Sequence, residues 1–192
     1  KAGVEAAIAD GQTLADFKNA LMPTLIRAGW WGQREQVDPV TGKRKLVQLG
    51  SARRLETIFR TNLMTAYSAG EWARIEESAS DAPYLMFGAV HDKRTRDQHR
   101  SWDGLVLRWD DPWWRTHYPP NGWNCRCSVI QLDEADVRAM GKAGADAAPP
   151  VKRREWVNRR TGEVMQVPTG IDPGFAYAPG MSRLPELRKL MD

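Results

Sequence analysis

Residues 90–132 constrain this chain more than any other stretch. They read VHDKRTRDQHRSWDGLVLRWDDPWWRTHYPPNGWNCRCSVIQL and hold all three histidines, both cysteines and five of the nine tryptophans. A solvated surface segment does not gather a chain's rarest residues in this way. A site does, and so does a small fold cross-braced by specific contacts. Three short β-branched or aromatic runs, at residues 84–90, 105–109 and 126–132, read as strands, with Cys127, Val129 and Gln131 on one face of the last. The loops between them are too short for crossover helices, which favours antiparallel pairing. The expected fold class is α+β: helices packed on a small, mostly antiparallel sheet, with a hairpin and an extended C-terminal tail.

The 192 residues can bury one good core with appendages. Lys plus Arg is 28 against 24 Asp plus Glu, a net +4 that is mildly basic and far from a dense cationic stripe. No apolar run approaches the roughly 20 residues that cross a bilayer, and no signal-peptide layout is present, so no membrane partner is expected. The chain opens on Lys1 in a helix-like stretch and reads as a piece of a longer polypeptide. Cys125 and Cys127 are too close in sequence for an unstrained disulfide and suit a reducing compartment.

Taken in order, the chain divides into an N-terminal helical segment (1–32), a core domain (33–148) and a linker, hairpin and extended tail (149–192). Thr13 and Asp16 form a capping-box start. Leu14, Phe17, Leu21 and Leu25 then give one apolar helix face, Pro23 is expected to kink or shorten its last turn, and Gly29 to stop it. Asp38-Pro-Val-Thr-Gly42 is turn chemistry within a hairpin. Ser51 caps a longer helix striped by Leu55, Ile58, Phe59, Leu63, Ala66 and Tyr67. Asp133 starts a short helix, Arg160-Thr-Gly162 centres a second hairpin, and residues 171–181 wrap over a surface, their own domain's or a neighbour's. Residues 185–191 read as a terminal helix. No internal repeats are evident.

Within the central stretch, Cys125, Cys127 and His99, with His117 or Asp103, make a tetrahedral set of soft and borderline ligands for which zinc is the natural ion. The plainer alternative is two thiols packed as small hydrophobes beside a hydrogen-bonded His99. Residues 117–123 look like a rigid turn in which Asn121 and Gly122 tolerate positive φ. Trp102, Trp109, Trp113, Trp114 and Trp123 should cover a small core. Arg94, Arg96, Arg100 and Arg126 alternate with aspartates and should form ion pairs. No orienting third group accompanies a Cys-His pair and no Gly-rich phosphate loop is present, so an enzyme is not expected.

Several patterns here resemble one family. They are Asp92-x-Arg94-Thr95-Arg96-x-x-His99, Trp102-x-Gly104, Asp111-Pro112, and Pro119-Pro-Asn-Gly-Trp-Asn124-Cys125-Arg126-Cys127. Arg60-Thr61-Asn62 with Ala66-Tyr67 and Gly70 precede them, and Val167-Pro-x-Gly170-Ile-Asp172-Pro-Gly-Phe175 follows. Over residues 29–180 the chain is similar to the Mu F-like minor head proteins, the head-morphogenesis family of tailed phages.

The resemblance implies a minor head protein of a phage or prophage. Such a protein associates with the portal and with capsid or scaffold subunits and assists head morphogenesis, DNA packaging or ejection. It would reside in the virion, inside the capsid near the portal, and in the host cytoplasm during assembly, with packaged DNA as a further partner. The resemblance also implies bracing roles for Arg60, Asn62, Asp92, Arg94 and Asn124, with Arg60 and Asn62 buried and bonded to the loop after the first strand. Many relatives show Cys-x-x-Cys where this chain has Arg96 and His99, so one presumed ligand is replaced. Two other classes compete: a zinc-dependent enzyme or toxin-type effector carrying this domain, and an internal DNA-binding virion protein. Portal contacts are expected from the tail and the N-terminal helix, at residues the sequence leaves unknown.

Overall fold

In a computed structural model the described residues are 2–181, so the terminal helix expected at 185–191 lies outside them. Six helices and three small sheets follow in order: α1 (Ala2–Ala9), α2 (Leu14–Arg27), β1 (Gln33–Val37), β2 (Arg44–Gln48), α3 (Ala52–Ser78), β3 (Tyr84–Gly88), α4 (Asp97–Ser101), β4 (Val106–Arg108), α5 (Trp114–His117), β5 (Ser128–Leu132), α6 (Glu134–Ala139), β6 (Arg153–Val157) and β7 (Val164–Pro168). This is the α+β class read from the sequence. Two compact units emerge, residues 1–63 with 155–165 and residues 64–154 with 166–192, the division falling within α3 and within the β6–β7 hairpin.

In the first unit, Thr13 caps α2 as its sequence demands. Its hydroxyl accepts from the Asp16 N–H at 3.2 Å, and the Asp16 carboxylate accepts from the Thr13 N–H at 3.2 Å. Pro23 does not shorten the helix, which runs on to Arg27. Phe17, Leu21, Met22 and Leu25 pack on the same core as Leu55 and Phe59, and that packing outweighs one missing backbone bond. The end is a Schellman turn at Gly29 (φ 68°), with Gly29 N–H bonded to Ile26 and Trp30 N–H to Leu25. Val4, Ala7, Phe17, Leu55 and Phe59 form the buried centre, Phe17 and Phe59 lying 5.1 Å apart ring to ring.

The same unit contains a repeat that the sequence reading missed. Arg34-Glu-x-Val-Asp38-x-x-Thr-Gly42 and Arg154-Glu-x-Val-Asn158-x-x-Thr-Gly162 build the same turn. In each, the Asx Oδ1 accepts from the N–H two residues on, at 2.9 Å for Val40 and 3.0 Å for Arg160. In each, the Asx carbonyl accepts from the glycine N–H, at 2.8 Å for Gly42 and 2.7 Å for Gly162. The two tips meet, with Arg159 donating to the buried Asp38 carboxylate at 3.2 Å.

The second unit is built on a three-stranded antiparallel sheet of order β4-β3-β5, with Met86 opposite Val106 on one side and Ile130 on the other. Leu85, Phe87 and Leu107 point to one face and are fully buried. On that side Gln131 ties the sheet to the end of α3 and the turn after it, donating to the carbonyls of Ile75 (3.3 Å) and Ala82 (2.9 Å). Val106, Leu132, Tyr84 and Met86 face the other way and pack with Val137 of α6, which Asp133 caps. Trp72 and Tyr118 meet edge to face at 5.0 Å. Of the five central tryptophans, Trp102, Trp113 and Trp114 are buried, while Trp123 is 47% exposed and stands edge-on to Phe175.

Candidate metal centre

Cys125, Cys127 and His99 are buried, and one ligand atom from each lies within 4.8 Å of the others. Two elements bring them together. Helix α4 carries His99, which is buried by stacking on Trp102 and by edge contact with Phe87. The two cysteines arrive from the turn before β5. Asn124 there adopts φ 58°, a left-handed conformation that asparagine tolerates better than most residues. The expectation that Asn121 and Gly122 supply the positive φ is therefore corrected. Asn121 is instead buried and donates from Nδ2 to the His117 carbonyl at 2.8 Å.

The His99 tautomer follows from its surroundings. Nε2 lies 2.8 Å from the Gly170 carbonyl, which can only accept, so Nε2 carries the hydrogen. Nδ1 of the neutral ring then presents its lone pair to Cys127 Sγ at 3.4 Å and Cys125 Sγ at 3.8 Å. A tetrahedral zinc ion with ordinary Zn–S and Zn–N bonds sets its sulfur and nitrogen ligands about 3.6 Å apart. The observed separations bracket that value. A carbonyl acceptor on the far nitrogen is also the usual way a ligating histidine is oriented. The donor set therefore fits a zinc ion.

The thiols are unequal. A hydrogen bond from Cys127 holds the Cys125 thiol below its ordinary range, with His99 adding to the effect. Cys127 is pushed up by the same bond and by burial.

His117 does not join the group. Its Nδ1 faces the Trp113 carbonyl at 3.2 Å and the Thr116 hydroxyl at 2.8 Å, and its ring stacks on Trp113. Burial lowers its pKa from 6.5 to about 4. Asp103 is likewise placed elsewhere, accepting from Ala89 N–H and meeting His91 Nε2, each at 2.7 Å.

The bracing residues divide. Asp92 takes a two-pronged bond from Arg126 at 2.7 Å on each arm, and also accepts from the Arg94 N–H at 2.9 Å. The Arg126 guanidinium holds that carboxyl well below the usual range. Arg94 is thus bound through its backbone, while its side chain lines a small cavity beside the cluster. Arg60 and Asn62 are not buried braces. Both are exposed and bond within α3, Arg60 to Glu56 at 2.8 Å and Asn62 to the Ile58 carbonyl at 2.8 Å. A partner one helical turn back is always in reach, so neither needs a distant loop.

A further brace is one to which the sequence assigned no role. Asp172 accepts from Arg96 at 2.7 Å and from the Trp123 N–H at 2.9 Å, and its own N–H donates to the Asn121 carbonyl at 2.9 Å. A Cβ on Gly122 would collide with the Asp172 carboxylate, and one on Gly170 would meet Gln98 and Trp102. Both glycines permit close approach of the tail. Ile171, Phe175 and Ala178 are buried, so this part of the tail covers its own domain. The sequence signal was present in the Gly170 and Asp172 of the tail pattern, but spacing alone names no partner.

Fold and site together define a small α+β module whose rarest residues brace its loops and gather one buried donor cluster. The chain belongs to the Phage Mu protein F like protein family, whose model matches residues 1–130. It is 38% identical over 190 residues to the "Putative capsid assembly protein F" of Escherichia phage Mu, covering 92% of this chain and 43% of that protein. It is 44% identical over 137 residues to the Mu-like prophage FluMu F protein of Haemophilus influenzae, covering 71% of this chain and 32% of that one. The chain thus spans less than half the length of these curated relatives. No solved structure matches it. Among the described residues, no helix is long and apolar enough to cross a membrane.

Proposed function

We propose that this chain is part of a minor head protein that works in the assembly of a tailed-phage or prophage capsid. The observation that carries this reading is the 38% identity, across 92% of the chain, to a phage Mu protein named for capsid assembly. The site's construction agrees with it. His99, Asp92, Arg96, Arg126 and Asp172 are occupied in holding loops and tail together, which is what a scaffold asks of them. No chemistry beyond binding is needed.

In this reading the protein joins the assembling head beside the portal, inside the shell, and contacts portal and capsid or scaffold subunits. Packaged DNA is a further partner, because the whole net charge falls on one unit. Residues 1–63 with 155–165 carry 12 basic and 8 acidic side chains, and the rest of the chain carries 16 of each. Zinc held by His99, Cys125 and Cys127 has a structural role, pinning α4 to the turn before β5.

The test is affinity capture of the tagged chain from cells assembling heads, followed by mass spectrometry. Portal and shell subunits are expected together. Recovery of shell proteins without portal would remove the portal contact, and recovery of no head protein would remove the assembly role.

A further inference from the structure

The donor cluster supplies three ligand atoms, and a small cavity lies against it. About 20 Å³ of space, room for about one water-sized group, lies against His99, Cys125 and Cys127. The other lining residues are Val90, Arg94, Thr95, Arg96, Asn124 and Arg126. None offers a thiolate, imidazole or carboxylate, the groups that zinc takes from proteins. The other two imidazoles are engaged elsewhere, His117 with the Trp113 carbonyl and Thr116 hydroxyl and His91 with the Asp103 carboxylate. A fourth donor must therefore come from outside this set.

Charge fixes the kind of donor. Arg96 is matched by Asp172 and Arg126 by Asp92. The exposed Arg94 guanidinium has no carboxylate within ion-pair reach among the described residues, so the cavity rim carries one unbalanced positive charge. A divalent ion with two thiolates is neutral and does not offset it. We propose that the centre leaves one metal position open and that this position is an anion site, filled by an anionic donor atom admitted beside Arg94. This rests on the reading of the cluster as a metal site. The donor is either a small inorganic anion or a carboxylate presented by a partner protein.

Cobalt(II) loaded into the 192-residue chain reports both points, because thiolate-to-cobalt charge transfer and the d–d bands depend on the ligand set. One ion per chain with thiolate bands is expected, and His99→Ala should abolish them. Titration with azide and with acetate should then shift the d–d bands, and Arg94→Gln should weaken the apparent affinity for both by about fivefold. Tighter binding of acetate identifies a carboxylate as the natural donor; tighter binding of azide identifies an inorganic anion. Absence of cobalt uptake sinks the metal reading and the open position with it. Normal uptake with spectra indifferent to both anions leaves the metal reading standing and overturns the open position alone.

Discussion

Phe17 and Phe87 are both buried, at 2% and 0% exposure, but their neighbours have different origins. Phe17 meets Phe59 and packs with Leu55, Leu21 and Leu25, residues that a helical repeat of three and four delivers to one side. Phe87 stands edge-on to Trp102 at 5.6 Å, Trp113 at 6.2 Å and His99 at 6.4 Å, which no repeat relates to each other. The first unit is held by interchangeable apolar contacts. The second is held by single, named ones. Volume-conserving swaps should therefore be tolerated in the first and costly in the second.

The sharpest way to break this contrast is Phe87→Ala. It removes the ring on which two tryptophans and the His99 imidazole converge and should lower the unfolding free energy by about 3–5 kcal/mol in denaturant titration. A loss below about 1 kcal/mol would show that the aromatic cluster closes over the gap, and that its contacts are as exchangeable as those around Phe17.

Next comes the tail. Asp172→Ala leaves the Arg96 guanidinium and the Trp123 N–H without their shared acceptor, and hydrogen bonds to charged groups contribute about 1.5–3 kcal/mol each way of counting. We expect a loss of about 2 kcal/mol together with faster proteolysis in residues 166–181. Unchanged protection there would mean that Ile171 and Phe175 hold the tail by burial alone.

Acid should discriminate the units as well. Folding keeps His117 neutral, with its pKa lowered from 6.5 to about 4 by burial. As pH falls the unfolded chain takes up the proton first, so this contribution is whole above about 6.5 and is lost between 6.5 and 4. The loss should be on the order of 3 kcal/mol. His117→Phe keeps a ring against Trp113 and Trp102 but cannot titrate, so it should flatten the stability profile across that window. A slope identical in both proteins would assign the acid sensitivity to other groups.

What could be read in advance follows the same division. The cap of α2, its stop at Gly29, the three central strands and their antiparallel pairing are local or periodic signals, and the structure has each of them. The Arg60 and Asn62 roles failed because a helix offers polar side chains a partner four residues back. The hairpin repeat escaped notice because its two copies are distant in sequence, the joined pair Asp38 and Arg159 standing 121 residues apart. His99 and both cysteines could be picked out as ligands by type. Their orientation could not, since Gly170, 71 residues away, sets it. Composition names the participants in a non-local site, and only the fold names their partners.

The smallest expected effect tests the local end of this scale. Thr13 satisfies one orphan N–H of α2 through its hydroxyl, and the Asp16 carboxylate returns the bond to the Thr13 backbone. Removing that hydroxyl in Thr13→Ala should cost about 1 kcal/mol, whereas Thr13→Ser keeps the acceptor and should stay within a few tenths of the parent. Both partners lie within three residues, so the loss ought to be the same whether or not the Asp172 latch is intact. A double variant that loses about the sum of the two single losses is therefore the outcome expected of a local cap. Marked departure from that sum would tie the cap energetically to the tail brace, and the contrast between a periodic unit and a specifically braced one would no longer hold.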